Sequence, residues 1–253
     1  MWKKEKRHND LKQIGILLFV FLSSFFLLHI MGERSSSSRL DEGETYLSKL
    51  ESRDLNKIKE QLKHFEKSRL LKGAHTKEER MKIRFGNAVI LGDSIVEGLY
   101  AYQLLDANQA IYKRGRRINN CDEEINKAVQ LSPEALFLNY GMNDLIYFRG
   151  DAQLFIAAYE ETVNHIRRKL PHTSIYVNSI LPIDAHAIAS TPSFAYVDAF
   201  NQALQTYCEK ENLMFIDNTK LLKNSADYES DGVHPKSSFY PLWLEHMLKE
   251  VGW

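Results

Sequence analysis

The sequence predicts a three-layer α/β domain built on a five-stranded parallel sheet, preceded by a transmembrane helix and a helical stalk. Three observations predict it. From Phe85 onward, short apolar runs alternate with amphipathic stretches of ten to twenty residues, the pattern of strands whose crossovers pack back on one sheet with a single hand. Residues 14–31 form one apolar run of eighteen residues. Between the two, residues 41–72 are highly charged with one glycine and no proline, which reads as helix.

With 253 residues, 44% hydrophobic and 26% charged, the chain has a globular composition, which excludes disordered, collagen-like and low-complexity classes. Lys+Arg 33 balances Asp+Glu 33, so no nucleic-acid partner is expected. The balance hides a split: residues 86–253 carry 14 basic and 21 acidic side chains, a net of −7, and the first 85 residues carry +7. Cys121 and Cys208 are too few for a disulfide scaffold or a cysteine zinc site, and two buried free thiols are expected.

At ~1.5 Å per residue the run from Ile14 to Met31 spans roughly 27 Å as a helix, enough to cross a bilayer. Lys3, Lys4, Lys6, Arg7 and Lys12 outweigh Glu5 and Asp10 by +3, which holds residues 1–13 in the cytoplasm and places the rest outside. The run is longer than a signal-peptide core and ends in no convincing cleavage site, so an uncleaved single-pass anchor in the cell membrane is expected; secretion after cleavage is the alternative. Ser35–Ser38 is a flexible exit into a linker and stalk over residues 32–85. There Leu55, Ile58, Leu62 and Phe65 form a narrow apolar stripe, suited to packing on the following domain or, alternatively, to a coiled coil joining two copies as a homodimer.

Within residues 86–253 the strands are expected at Ala88–Leu91, Ala110–Tyr112, Ala135–Tyr140, Ser174–Ile180 and Met214–Ile216. Helices are expected at Val96–Leu105, Asp122–Leu131, Asp151–Leu170, Ser193–Asn212 and after Pro235. Ligands of such sheets bind beyond the carboxyl ends of the strands. The loops there read Gly92-Asp93-Ser94, Arg114-Gly115-Arg116, Gly141-Met142-Asn143-Asp144 and, after strand five, Asp231-Gly232-Val233-His234-Pro235. Singly these are helix caps and turns. Their occurrence in order, each at a strand end, is what points to a site.

Those four blocks resemble the conserved blocks of the GDSL, or SGNH, hydrolases, with Ser94, Gly115, Asn143 and His234 each in place. The resemblance covers about Asn87 to Val251 and departs in two places, Ile95 where the first block usually has Leu and Met142 where Thr or Glu is commoner. It implies a serine esterase or acylhydrolase that needs no cofactor. If the strand order is flavodoxin-like, 2-1-3-4-5, the Ser94 and Gly115 N–H groups and the Asn143 amide reach one crevice as oxyanion donors. His234 is the base that activates Ser94, and Asp231 accepts its other ring N–H. His186 with Asp184 is the competing pair, assigned to a substrate loop. Arg114, Arg116 and Arg117, with Lys113, bracket Gly115, and two readings stay open: they hold an anionic part of an ester substrate, or they form a solvated turn that offsets Asp122, Glu123 and Glu124. No metal site or phosphate loop is expected.

The function expected is therefore a membrane-anchored, extracytoplasmic esterase acting on acetylated surface carbohydrate or lipid through an acyl-serine. The alternatives are an O-acyltransferase on a surface polymer and an inert tethered scaffold.

Overall fold

The computed structural model describes residues 22–24, 45, 46, 48, 49 and 55–253. The chain divides into two compact units, Met1–Glu66 and Lys67–Trp253. The expected cytoplasmic segment 1–13 lies outside the described residues, as do the linker over 32–44 and the 14–31 anchor apart from helical residues 22–24. Among the described residues no helix is long and apolar enough to cross a membrane. In the first unit residues 55–66 are helical, and Leu55, Ile58, Leu62 and Phe65 are all exposed.

The second unit begins at Lys67, well before the boundary at residue 86 expected from the sequence. The reason is α1 (Lys77–Phe85), which starts on a capping box between Thr76 and Glu79 and buries Met81 and Phe85 in the domain core. Arg84 at its end donates to Glu245 at 2.6 Å. The last part of the predicted stalk is thus a helix of the domain.

Five strands follow: β1 (Ala88–Gly92), β2 (Ala110–Tyr112), β3 (Ala135–Asn139), β4 (Ser174–Asn178) and β5 (Met214–Ile216). They are all parallel, in the order β2-β1-β3-β4-β5. The helices between and after them are α2 (Ser94–Ala101), α3 (Asp122–Leu131), α4 (Met142–Tyr147), α5 (Ala152–Lys169), α6 (Ala185–Ser190), α7 (Val197–Glu211) and α8 (Phe239–Glu250).

The period-two alternation of the strands makes the three layers. Val89, Leu91, Leu136 and Leu138 pack with Ile125 of α3, Phe155 and Val163 of α5 and Phe200 of α7. Ala88, Ile90, Ala135 and Phe137 face the other way, against Leu99 of α2, Phe85 of α1 and Trp243 of α8. Because α2 and α3 leave β1 and β2 on opposite faces, the strand order reverses at β1 and a crevice opens between the carboxyl ends of β1 and β3. Cys121 and Cys208 are buried and unbridged.

Several boundaries differ from the sequence reading. Short α4 and α6 were not expected, and the expected helix over 193–212 is a 3-10 turn (Pro192–Tyr196) leading into α7. The final helix does follow Pro235 but starts only at Phe239, because Pro235 bridges to Tyr228 and the Lys236 N–H donates to the Asp227 carbonyl at 2.8 Å.

Gly98, inside α2, packs directly on α8: a Cβ there would fall on the ring of buried Tyr240. In an open helix Gly→Ala stabilises by up to ~1 kcal/mol. Here overpacking wins, and Gly98→Ala should cost about 1–3 kcal/mol in urea unfolding. A stabilised variant would contradict the tight α2–α8 contact.

Candidate active site

The first site residue is placed by a turn. Gly92 ends β1 where a side chain would collide with Val96 and the Asn139 carbonyl, so the chain can pass straight from strand into helix. Asp93 caps α2, its Oδ1 accepting the Ile95 N–H at 2.9 Å. With the cap supplied by Asp93, the hydroxyl of half-buried Ser94 is left for another partner. It meets His234, whose Nε2 lies 2.9 Å from Ser94 Oγ.

His234 comes from the loop after β5, and that loop is tightly bound to itself. The Glu229 N–H donates to the His234 carbonyl at 2.8 Å and the Gly232 N–H to the Glu229 carbonyl at 3.0 Å, with Gly232 at φ +69°. Asp231 Oδ1 accepts the Val233 and His234 N–H groups, each at 2.9 Å, while Oδ2 accepts His234 Nδ1–H at 2.5 Å. A carboxylate can only accept, so the Nδ1 proton belongs to His234 and Nε2 is free to take the Ser94 proton. Burial pushes the Asp231 carboxyl up, but the two N–H groups and the His234 ring outweigh it and hold it below the usual range. Asp231 therefore stays ionised. Three of the expected residues are thus one hydrogen-bonded relay.

Asn143 opens α4 and reaches the same place from β3. Its Nδ2 donates to Asp93 Oδ2 at 2.7 Å and to the Arg116 carbonyl at 3.1 Å. Both amide hydrogens are engaged in this state, and the second bond ties the loop carrying Gly115 to α4. Gly115 itself sits at φ +71°, a conformation that favours glycine.

The basic residues divide. A cleft of about 430 Å³ is lined by Ser94, Glu97, Arg114 and His234. Arg114 forms a two-pronged pair with Glu97, through Nε at 2.5 Å and Nη2 at 2.8 Å. Arg116 and Arg117, which one of the two readings sets beside the substrate, do not line this cleft. Arg116 donates to Glu124 at 2.9 Å and to Glu123 at 2.8 Å. Glu124 is 1% exposed, and a carboxylate so buried needs a cation, which takes Arg116 out of the crevice. Arg117 stacks on Tyr147 with its guanidinium 3.8 Å from the ring centre.

His186 and Asp184 pair at 2.6 Å, but against the Ser230 carbonyl and not against Ser94. The sequence reading singled out neither Glu97 as a wall of the cleft nor Asp93 as the residue that holds Asn143. The position of Glu97 one helical turn after Ser94 was the available signal for the first.

Two buried carboxyls lie beneath the site. Burial raises Asp93 to about 6 against the pull of the Ile95 N–H, the His234 ring and the Asn143 amide. Burial likewise raises Asp144, which accepts the Ile118 N–H at 3.1 Å, to about 7.

Residues 90–241 match the sequence model of the GDSL-like lipase/acylhydrolase family. No protein of curated function matches the chain. Among solved structures, a candidate acylhydrolase of Bacteroides fragilis NCTC 9343 superposes with a TM-score of 0.52 at 17% identity, over 65% of this chain and 86% of that one. A GDSL-like lipase of Bacteroides thetaiotaomicron VPI-5482 gives 0.50 at 15% identity, with the same coverage of 65% and 86%. A candidate platelet activating factor of Streptococcus pneumonia gives 0.54 at 20% identity, over 75% of this chain and 97% of that one. These structures share the fold.

The raised carboxyls carry a pH signature. A carboxyl with a raised folded pKa holds its proton better folded than unfolded, so its contribution to stability falls as pH climbs from the unfolded value near ~4 to the folded one. For Asp144 that loss is complete above about 7. Asp144→Asn removes it, so the variant's melting temperature relative to wild type should be more favourable at about pH 8 than at about pH 5. A difference independent of pH would show that Asp144 is not destabilised by ionising in the fold.

Proposed function

The chain belongs to the GDSL-like lipase/acylhydrolase family and is a carboxylic ester hydrolase, and on that premise we propose that it cleaves its ester through an acyl-Ser94 intermediate. The observation that carries the reading is the relay Asp231–His234–Ser94, at 2.5 Å and 2.9 Å. Ser94 Oγ attacks the ester carbonyl as His234 Nε2 takes its proton, and Asp231 holds the imidazolium that forms. Collapse of the tetrahedral intermediate expels the alcohol, which receives the proton from His234. Water, activated by the same base, then attacks the acyl-serine and releases the acid.

The Ser94 and Gly115 N–H groups and the Asn143 amide are the oxyanion donors in this scheme. Asn143 enters it by turning one N–H from Asp93 or from the Arg116 carbonyl toward the developing charge. A contact made mainly in the transition state lowers the barrier without tightening substrate binding.

Each residue that lines the cleft, Ser94, Glu97, Arg114 and His234, carries a hydrogen-bonding side chain, which suits a hydroxyl-rich alcohol such as an acetylated carbohydrate. The Glu97–Arg114 pair offers acceptors and donors together, and Arg114, 77% exposed, is the basic residue placed to meet an anionic group on that substrate. We further propose that residues 14–31 tether the enzyme to the membrane with its catalytic domain outside. Support comes from the eighteen-residue apolar run and the +3 charge excess before it.

Ser94→Ala and His234→Ala should each abolish turnover of p-nitrophenyl acetate with circular dichroism unchanged, since members of one unit fail together. Asn143→Ala should lower kcat by ~10² with KM nearly constant. Retained activity in Ser94→Ala would end the mechanism, and a raised KM with intact kcat would move Asn143 from transition state to substrate. Cell fractionation tests the tether: the full chain should sediment with membranes, and deletion of residues 1–31 should release an active soluble enzyme.

A further inference from the structure

His186 lies near the catalytic relay but outside it, and its surroundings differ from those of His234 in one decisive respect. His234 has an acceptor on one side and a hydroxyl on the other, and a hydroxyl can donate, so the neutral ring satisfies both contacts. His186 has acceptors on both sides. Its Nδ1 is 2.6 Å from Asp184 Oδ1 and its Nε2 is 3.2 Å from the Ser230 carbonyl oxygen. A neutral ring can donate from one nitrogen only and would aim a lone pair at the other oxygen. Both bonds exist together only in the imidazolium.

The backbone that His186 grips is the segment that carries Asp231 and His234. Gly232 has no side chain because the His186 ring occupies that space, and the Asp184 N–H donates to the Gly232 carbonyl at 2.9 Å. Tyr228, at the start of the segment, donates its hydroxyl to the Pro182 carbonyl at 3.0 Å. The strand-four loop and the head of α6 therefore form a seat for the catalytic loop. His186 is the part of that seat that titrates.

We propose that His186 is a positioning residue of the hydrolysis: as an imidazolium it bridges Asp184 and the Ser230 carbonyl and holds Asp231 and His234 in register with Ser94, and on losing its proton it lets Ser230 go. This rests on the esterase reading above. The charges facing the ring are Asp184 from its own helix cap and Asp231 across the loop, both acids. They favour the imidazolium, and the Asp184 bond, the largest influence, raises the His186 pKa. Asp184 itself is held at about 2 by the Ser225 hydroxyl, the His186 N–H and the His186 ring, so it stays an acceptor.

The sign of the effect follows. A histidine whose pKa is raised by folding contributes fully below its unfolded value near ~6.5 and loses that contribution as pH rises through the folded value. His234 acts in the opposite sense, since it must be neutral to take the Ser94 proton. Hydrolysis should therefore decline on the alkaline side as His186 loses its proton.

The test compares the full-length protein with His186→Gln and Asp184→Asn, which keeps a capping side chain at α6. Two readouts are used: the pH profile of kcat/KM on p-nitrophenyl acetate, corrected for spontaneous hydrolysis, and the NMR titration of the His186 ring proton. Wild type should show an alkaline decline. His186→Gln should lose that decline and level off about five-fold below the wild-type maximum, the scale of a slightly misplaced base. Asp184→Asn should move both the decline and the NMR titration to lower pH. An unchanged alkaline limb in His186→Gln, or a His186 titration indifferent to Asp184→Asn, would overturn the proposal. Absence of turnover in wild type at every pH would instead overturn the esterase reading, and the NMR titration would still decide whether the bridge exists.

Discussion

Asp93 is the carboxylate from which the site is assembled. One oxygen caps α2 through the Ile95 N–H and so sets the first turn that presents Ser94; the other accepts the Asn143 amide from across the crevice. Asn143 passes the tie on to the Arg116 carbonyl, so the loops after β1, β2 and β3 are joined by one buried acid and one amide. Burying that acid is unfavourable in itself, which is why its pKa stands at about 6. The fold carries this cost where it also gains geometry: three strand ends are fixed relative to one another without a residue of the catalytic relay being used to fix them.

The charged residues nearby follow the same economy of partners. The five residues after β2 hold four cations, and the folded chain answers them with Glu97, Glu123 and Glu124, while Arg117 lies on the Tyr147 ring. Only the Glu97–Arg114 pair is left on the cleft wall. A cluster that reads in the sequence as a basic patch is, in the fold, a set of ion pairs with one polar face toward the cleft. Surface pairs of this kind contribute little stability. The pair with buried Glu124 is different, because breaking it would leave a charge stranded in the core.

The parallel sheet was legible because strands buried on both faces are continuous apolar runs, and Ala88–Leu91 and Ala135–Asn139 lie where those runs do. Asp231 and His234 were legible because their contact is local, three residues apart in one turn. What the sequence concealed lies in contacts between distant residues. Nothing in the linear order says that Asn143 gives its amide to Asp93 and to the Arg116 carbonyl. Helices α4 and α6, six residues each, are too short to show a helical period. The domain's true start was hidden for a related reason: α1 has the charge of a stalk on one face and buries only Met81 and Phe85 on the other.

The central claim is that Ser94 is a nucleophile made reactive by His234 and Asp231. Reaction of the full-length protein with a fluorophosphonate, followed by peptide mapping by mass spectrometry, tests it most directly. The account predicts a single phosphonylated peptide carrying the adduct on Ser94, formed in wild type and absent from His234→Ala. An unlabelled protein, or an adduct on any other serine, would contradict it.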